Sequence, residues 1–258
     1  MRHERGAGGA GMKHLEEPAE TVRRGRIDVA REGRRLDLRV DGISYSTFHP
    51  DKPWSGYVWD ALAACGALVP AVRPRVLLLG CGAGTVLLLL RRLLPEARLL
   101  AVDADPRVLE VARARFGLDA LGAEIVVADG PRFVRATRRR FDLVLDDMYA
   151  PGKAGLRRPV DDEREHLRAI ARRLDPGGIA ATNSTTDDDP PGLKAVVGDA
   201  YASVFPHVAR LSPRRGYNVV FVGSAVPLDL HLLGERAGML PEVDRLGLLS
   251  VRARRGIR

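Results

Sequence analysis

Val76-Leu77-Leu78-Leu79-Gly80-Cys81-Gly82-Ala83-Gly84-Thr85 runs an apolar strand into three alternating glycines and then into a helical stretch. Glycines at such a turn let the backbone fold sharply and lie close against a ligand. A glycine-rich turn also serves simple tight packing, so its surroundings decide its meaning. From Arg75 onward short apolar strands alternate with helical segments. The strands are Val76–Leu79, Leu99–Val102, Ile125–Val127, Leu143–Leu145, Ile179–Thr182 and Val219–Val222. Between them lie Thr85–Leu94, Pro106–Phe116, Pro131–Arg139, Asp161–Leu174 and Gly192–Val204. Asp105 before Pro106 is a helix start, a capping acid with proline in the first turn. Strands apolar throughout and separated by helices predict a parallel sheet covered on both faces. The fold expected is α/β, a doubly wound Rossmann-like sheet whose ligand lies at the carboxyl ends of the strands.

Upstream of that sheet the pattern changes. Ile27, Val29, Leu36, Leu38, Val40 and Ile43 alternate with polar residues around the turn pairs Glu32-Gly33 and Asp41-Gly42. This predicts a small β-hairpin or meander. Trp59 to Leu68 then has helical spacing. The expected organisation is a flexible tail over 1–21, a β unit over 22–56, the Rossmann-like domain over 57–226 and an extension over 227–258. Nothing after Pro227 suggests a part in chemistry.

The 258 residues are 45% hydrophobic and 29% charged, enough for a core and too apolar for disorder throughout. No run approaches the roughly 20 apolar residues of a membrane span, and Met1–Glu20 has no secretory apolar core. A cytoplasmic location and no membrane partner are the expectations. The net charge of +8 is almost all arginine, lysine occurring only at Lys13, Lys52, Lys153 and Lys194. The arginines are scattered, as GC-rich coding bias scatters them, so nucleic acid is discounted as a partner. Cys65 and Cys81 are too few for a disulfide scaffold, and the six histidines show no ligand spacing, so no metal is expected. Asp161-Asp162 and Asp187-Asp188-Asp189 read as solvated loops.

Thr85 stands where a dinucleotide fingerprint wants its third glycine. The turn therefore argues for S-adenosylmethionine, which has no pyrophosphate. Asp103 closes the second strand about 20 residues on, where an acid accepts both ribose hydroxyls. Asp105 takes the capping role beside it. Asp129, in Val127-Ala128-Asp129-Gly130, ends the third strand and either accepts the adenine amino group or merely caps a helix. Gly80, Gly82, Gly84, Asp103, Ala104, Asp129 and Gly130 are the candidate cofactor-binding residues. The fourth strand runs into Asp146-Asp147-Met148-Tyr149-Ala150-Pro151-Gly152. Adjacent acids on a strand point oppositely, so one of Asp146 and Asp147 faces the ligand. Such a carboxylate would steady a sulfonium or remove a proton from an amine.

Leu38-Arg39-Val40-Asp41-Gly42, Tyr57, the glycine turn, Val102-Asp103-Ala104-Asp105, Ala128-Asp129-Gly130 and Phe141-to-Gly152 resemble the spermidine synthases in order. The resemblance covers most of residues 26–224, including the N-terminal β unit, on a class I methyltransferase fold. It implies an adenosyl pocket at Gly80, Gly82, Gly84, Asp103 and Asp129. It implies a general base at Asp147, the first acid of an Asp-x-x-Asp-Pro motif, and Tyr57, Asp146 and Tyr149 are the candidate substrate-binding residues. The motif's second acid is Ala150 here, the family's Tyr-x-Glu is Tyr57-Val58-Trp59, and its glutamine after Asp-Gly is Tyr45. Losing two carboxylates weakens the grip on a diamine. Tyr45, Trp54, Tyr57, Trp59 and Tyr149 suit a larger, flatter or aromatic acceptor, though some of them also suit plain packing. The expected activity is methyl transfer to an amine or hydroxyl of a small molecule. The alternatives are aminopropyl transfer from decarboxylated S-adenosylmethionine, and adenosyl binding without catalysis. A homodimer is compatible with the sequence.

Overall fold

The computed structural model describes residues 25–152, 155–185 and 192–257. The tail expected over 1–21 and the acidic run Asp187–Asp189 lie outside these. Three antiparallel strands come first, β1 (Ile27–Glu32), β2 (Arg35–Val40) and β3 (Ile43–Phe48). Asp41 and Gly42 both adopt positive φ, +50° and +80°, which is why this two-residue turn is Asp-Gly. Helix α1 (Val58–Ala64) follows and tightens into a 3₁₀ turn over Cys65–Leu68.

The alternating part then unfolds as β4 (Arg75–Leu79), α2 (Thr85–Leu93), β5 (Arg98–Asp103), α3 (Pro106–Phe116), β6 (Glu124–Val127), α4 (Gly130–Ala136) and β7 (Phe141–Asp146). A short hairpin, β8 (Ala150–Gly152) and β9 (Gly155–Arg157), precedes α5 (Glu163–Ala171). The chain continues through β10 (Leu174–Ser184), α6 (Leu193–Val204), β11 (His207–Ser212), β12 (Val219–Ser224), α7 (Leu232–Gly238), α8 (Glu242–Leu249) and β13 (Arg252–Arg255). The eight-stranded sheet has the order β13-β11-β12-β10-β7-β4-β5-β6. Strand order reverses beside β4, so the crevice between β4 and β7 is where a doubly wound sheet takes its ligand.

Alternate residues of β4 serve opposite faces of the sheet. Val76 and Leu78 join α1 and α2 in one core, while Leu77 and Leu79 join α4, α5 and α6 in the other. The sheet is mixed and not wholly parallel as the apolar runs suggested. Strands β6, β5, β4, β7 and β10 are parallel, but β12 runs antiparallel to β10 and to β11. The connection from β11 to β12 is too short for a crossover helix, which forces the hairpin. Among the described residues no helix is long and apolar enough to cross a membrane.

Residues 227–257 are built into the same body. Strand β13 pairs with β11 at the sheet edge, and buried Asp244 accepts hydrogen bonds from Trp54 Nε1 (2.9 Å) and Arg92 Nε (2.7 Å). Trp54 lies so close over Gly247 that a Cβ there would fall 2.1 Å from its ring. Its indole is thus committed to packing, not to an acceptor.

Candidate active site

A cavity of about 400 Å³ opens at the carboxyl ends of the parallel strands, under β3 and the start of α1. The glycine turn makes its floor. Gly80, Gly82 and Gly84 all have positive φ, between +52° and +88°. A Cβ on Gly80 would stand 2.5 Å from the Asp147 carbonyl oxygen, so the β4 and β7 ends meet through bare backbone. Asp147 N–H donates to Leu79 O (2.8 Å) across the same seam. The N-terminal sheet clamps this turn from the other side. Ser46 Oγ accepts from Ala83 N–H, and Thr85 Oγ1 donates to Thr47 O, both at 2.8 Å.

Gly80, Gly82, Asp103, Ala104, Asp129, Gly130, Asp147, Tyr57 and Tyr149 line the cavity. Two predicted residues do not. Gly84 turns away, and a Cβ there would sit 2.9 Å from Leu118 Cδ1, so its glycine serves packing against the segment after α3. Asp146 points to the opposite side of β7, fully buried, and does not reach the substrate region.

Asp146 is held instead in an ion cluster. Arg158 Nη1 and Nη2 donate to its two oxygens at 2.9 and 2.7 Å, and His166 Nε2 lies 3.0 Å from Oδ2. Arg158 also donates to Glu163 at 2.8 Å. Burial by itself would raise the Asp146 carboxyl. The Arg158 charge and the hydrogen bonds outweigh it and hold the group well below the usual carboxylate range.

Asp147 has the reverse environment. Burial pushes its carboxyl up to about 7, with Asp146 adding to the rise and a hydrogen bond from Asn183 opposing it. That bond runs from Asn183 Nδ2 to Asp147 Oδ1 at 2.7 Å, and Asn218 Nδ2 donates in turn to Asn183 Oδ1 at 3.0 Å. The second amide fixes which way the first one faces. Tyr149 closes the group, its hydroxyl donating to Asn183 O (3.1 Å) and accepting from Thr185 N–H (3.2 Å). The result is a carboxyl poised near neutrality, as a proton acceptor requires.

Asp103 is not as free as its sequence position suggested. Its Oδ2 accepts from the N–H groups of Cys81 (2.9 Å) and Gly82 (3.0 Å), and Oδ1 accepts from Asp105 N–H (3.0 Å). Burial raises its carboxyl while those three N–H groups oppose the rise. A carboxylate oxygen accepts about two hydrogen bonds, so Oδ1 retains capacity for a ribose hydroxyl. Asp129 both lines the cavity and caps α4, accepting from Arg132 N–H at 2.9 Å. The Tyr45 hydroxyl, also at the cavity, is buried without a hydrogen-bond partner.

Ser46, Asn183 and Asn218 were not anticipated. Asn183 carried a usable signal, a polar residue ending an apolar strand at its carboxyl end. Ser46 and Asn218 carried none. Among the described residues no three His, Cys, Asp or Glu side chains converge to hold a metal.

A methyltransferase domain family matches residues 76–178. The polyamine aminopropyltransferase 2 of Hyperthermus butylicus is 30% identical over 191 residues, covering 69% of this chain and 59% of that protein. The polyamine aminopropyltransferase of Aeropyrum pernix is 27% identical over 245 residues, covering 88% of this chain and 75% of its own. The chain thus spans less than two thirds of the first of these relatives. The solved structure of a probable spermidine synthase from Corynebacterium glutamicum superposes with a TM-score of 0.70 at 18% identity, covering 94% of this chain and 92% of that one.

Proposed function

We propose that this spermidine synthase-like protein, built on the class I methyltransferase fold, transfers the aminopropyl group of decarboxylated S-adenosylmethionine to an amine. The observation that carries the reading is the charge of the cavity. Asp103, Asp105, Asp129 and Asp147 line it, and among the described lining residues there is no lysine, arginine or histidine. Among these described residues a donor's carboxylate meets no side-chain cation, and the Arg107 guanidinium beside them is already bound to Asp105. The decarboxylated donor brings only positive groups, which these acids attract. The relatives named polyamine aminopropyltransferases support the same choice.

The residues present fit such a donor. Asp103 faces the glycine turn with an oxygen to spare, Asp129 stands at the next strand end, and the unpartnered Tyr45 hydroxyl is a donor that a bound ligand would satisfy. The donor, when bound, supplies a carbon already activated by a sulfonium. The chain's own part is to hold the acceptor, keep water out and take a proton. Asp147 is the group for that proton. Its carboxylate, held by Asn183, accepts the ammonium proton and leaves the lone pair free to attack.

Methyl transfer from S-adenosylmethionine, the activity expected from the sequence, is favoured by the methyltransferase-domain match over residues 76–178 and by the likeness to relatives named ribosomal RNA small subunit methyltransferase C. The two readings release different nucleosides. Incubation with each donor and a panel of primary amines, followed by chromatography, separates them. Aminopropyl transfer yields 5′-methylthioadenosine, the result expected. Release of S-adenosylhomocysteine alone would move the assignment to methyl transfer.

A further inference from the structure

We infer that the acceptor carries one ammonium at its reacting end and an uncharged, flat apolar body behind it. This rests on the transfer to an amine proposed above and specifies its substrate. Asp147 is the one carboxylate among the described lining residues on the acceptor side, where the ends of β7 and β10 face the start of α1. Among the described residues three other acids lie near and none is available. Asp146 is saturated by Arg158 and His166 on the far side of β7. Asp60 is buried in α1, accepting from Ser55 N–H and Oγ and from Gly56 N–H, and is absent from the lining. Glu163 is bound to Arg158.

What stands where a second acid could be is apolar. Position 150 is alanine, and Pro151, Leu156 and Pro159 continue that wall. Val58 and Trp59 form the opposite wall, with Tyr57 edge-on to Trp59 at 6.4 Å between ring centres. Tyr149 is pinned through its hydroxyl and backed by the Arg158 guanidinium, 5.9 Å from its ring centre. Rings and prolines in fixed positions favour a flat apolar body.

The mouth adds a charge argument of its own. The loop between β11 and β12 reaches the cavity at Asn218 and lays the side chains of Arg214 and Arg215 against Gly56, next to Tyr57. Arg215 N–H donates to Gly56 O at 2.7 Å and ties the loop there. The far ammonium of a diamine would lie unpaired on an apolar wall and have two arginine side chains beside Tyr57 at its edge. Both effects oppose it.

The test measures amine binding directly by titrating phenethylamine and putrescine into the protein, with 5′-methylthioadenosine present and absent. Phenethylamine is expected to bind at least about tenfold more tightly than putrescine. Equal or tighter binding of putrescine overturns the inference, as does failure of both amines to bind. The release of 5′-methylthioadenosine in the donor assay is read separately, so a wrong acceptor class and a wrong transfer reaction give different patterns. Ala150→Asp supplies the independent arm. A second carboxylate on the lining should raise putrescine affinity by about tenfold or more and lower that of phenethylamine. Unchanged preference in that variant, with its fold confirmed by circular dichroism, also overturns the inference.

Discussion

Asp147→Asn is expected to cut turnover by roughly 10²-fold or more while leaving donor affinity nearly unchanged. Asparagine keeps the shape of the side chain and the partnership with Asn183, but it cannot take a proton from an ammonium. The proposed donor contacts lie at the ends of β4, β5 and β6, so they should be untouched. The wild-type pH profile should show the same group. With its carboxyl at about 7, Asp147 is protonated and idle below that pH and ionised above it. Activity should therefore fall as pH drops through about 7, seen most directly in kcat/KM, which reports the free enzyme. The hydrogen bond from Asn183 favours the ionised form, so Asn183→Leu should move that acid limb to higher pH. A pH-rate series on the three proteins checks all of this. Asp146→Asn differs in kind. It breaks a buried ion cluster and should lower the melting temperature, because it leaves buried Arg158 with Glu163 as its one remaining carboxylate partner among the described residues.

Asp103→Ala is expected to lower donor affinity by about 10²-fold or more. Each hydrogen bond to a carboxylate contributes about 1.5–3 kcal/mol, and the variant would lose the proposed ribose contact outright. The structure adds a second route to the same loss. The Asp103 carboxylate also holds the N–H groups of Cys81 and Gly82, so the glycine turn loses its brace. Asp103→Asn keeps one acceptor oxygen and should fall between alanine and wild type. Calorimetry on both variants, with circular dichroism to show that each is folded, measures the effect. Unchanged affinity in the alanine variant would remove Asp103 from the site.

Much of this architecture was legible in the sequence, and the exceptions have physical reasons. The apolar runs gave β4, β5, β6, β7, β10 and β12, and Asp105-Pro106 marked the start of α3. Periodicity carries no information on strand direction, so the reversal at β12 was invisible. Strands β11 and β13 escaped because both are rich in polar residues, β13 as the short edge strand and β11 as the strand beside it. Arg252-Ala253-Arg254-Arg255 reads as a charged tail, yet it pairs with β11, and charge on an exposed edge deters pairing with another chain. At the site, alternation established that Asp146 and Asp147 diverge but not which one faces the cavity. That depends on Arg158 and His166, 12 and 20 residues away, which no local pattern connects to Asp146. Gly84 shared the spacing of Gly80 and Gly82 and still served packing, because spacing shows where glycine is required and not what presses on it.

The central claim is that the carboxylate-lined cavity receives a cationic adenosyl donor. Titration calorimetry with decarboxylated S-adenosylmethionine and with S-adenosylmethionine on the same preparation tests it most directly. Saturable binding of both is expected, about tenfold or more tighter for the decarboxylated donor, since only the other carries a carboxylate into a cavity whose described lining holds acids and no side-chain cation. Absence of binding by either donor at millimolar concentration, or a clear preference for the carboxylated one, would contradict it.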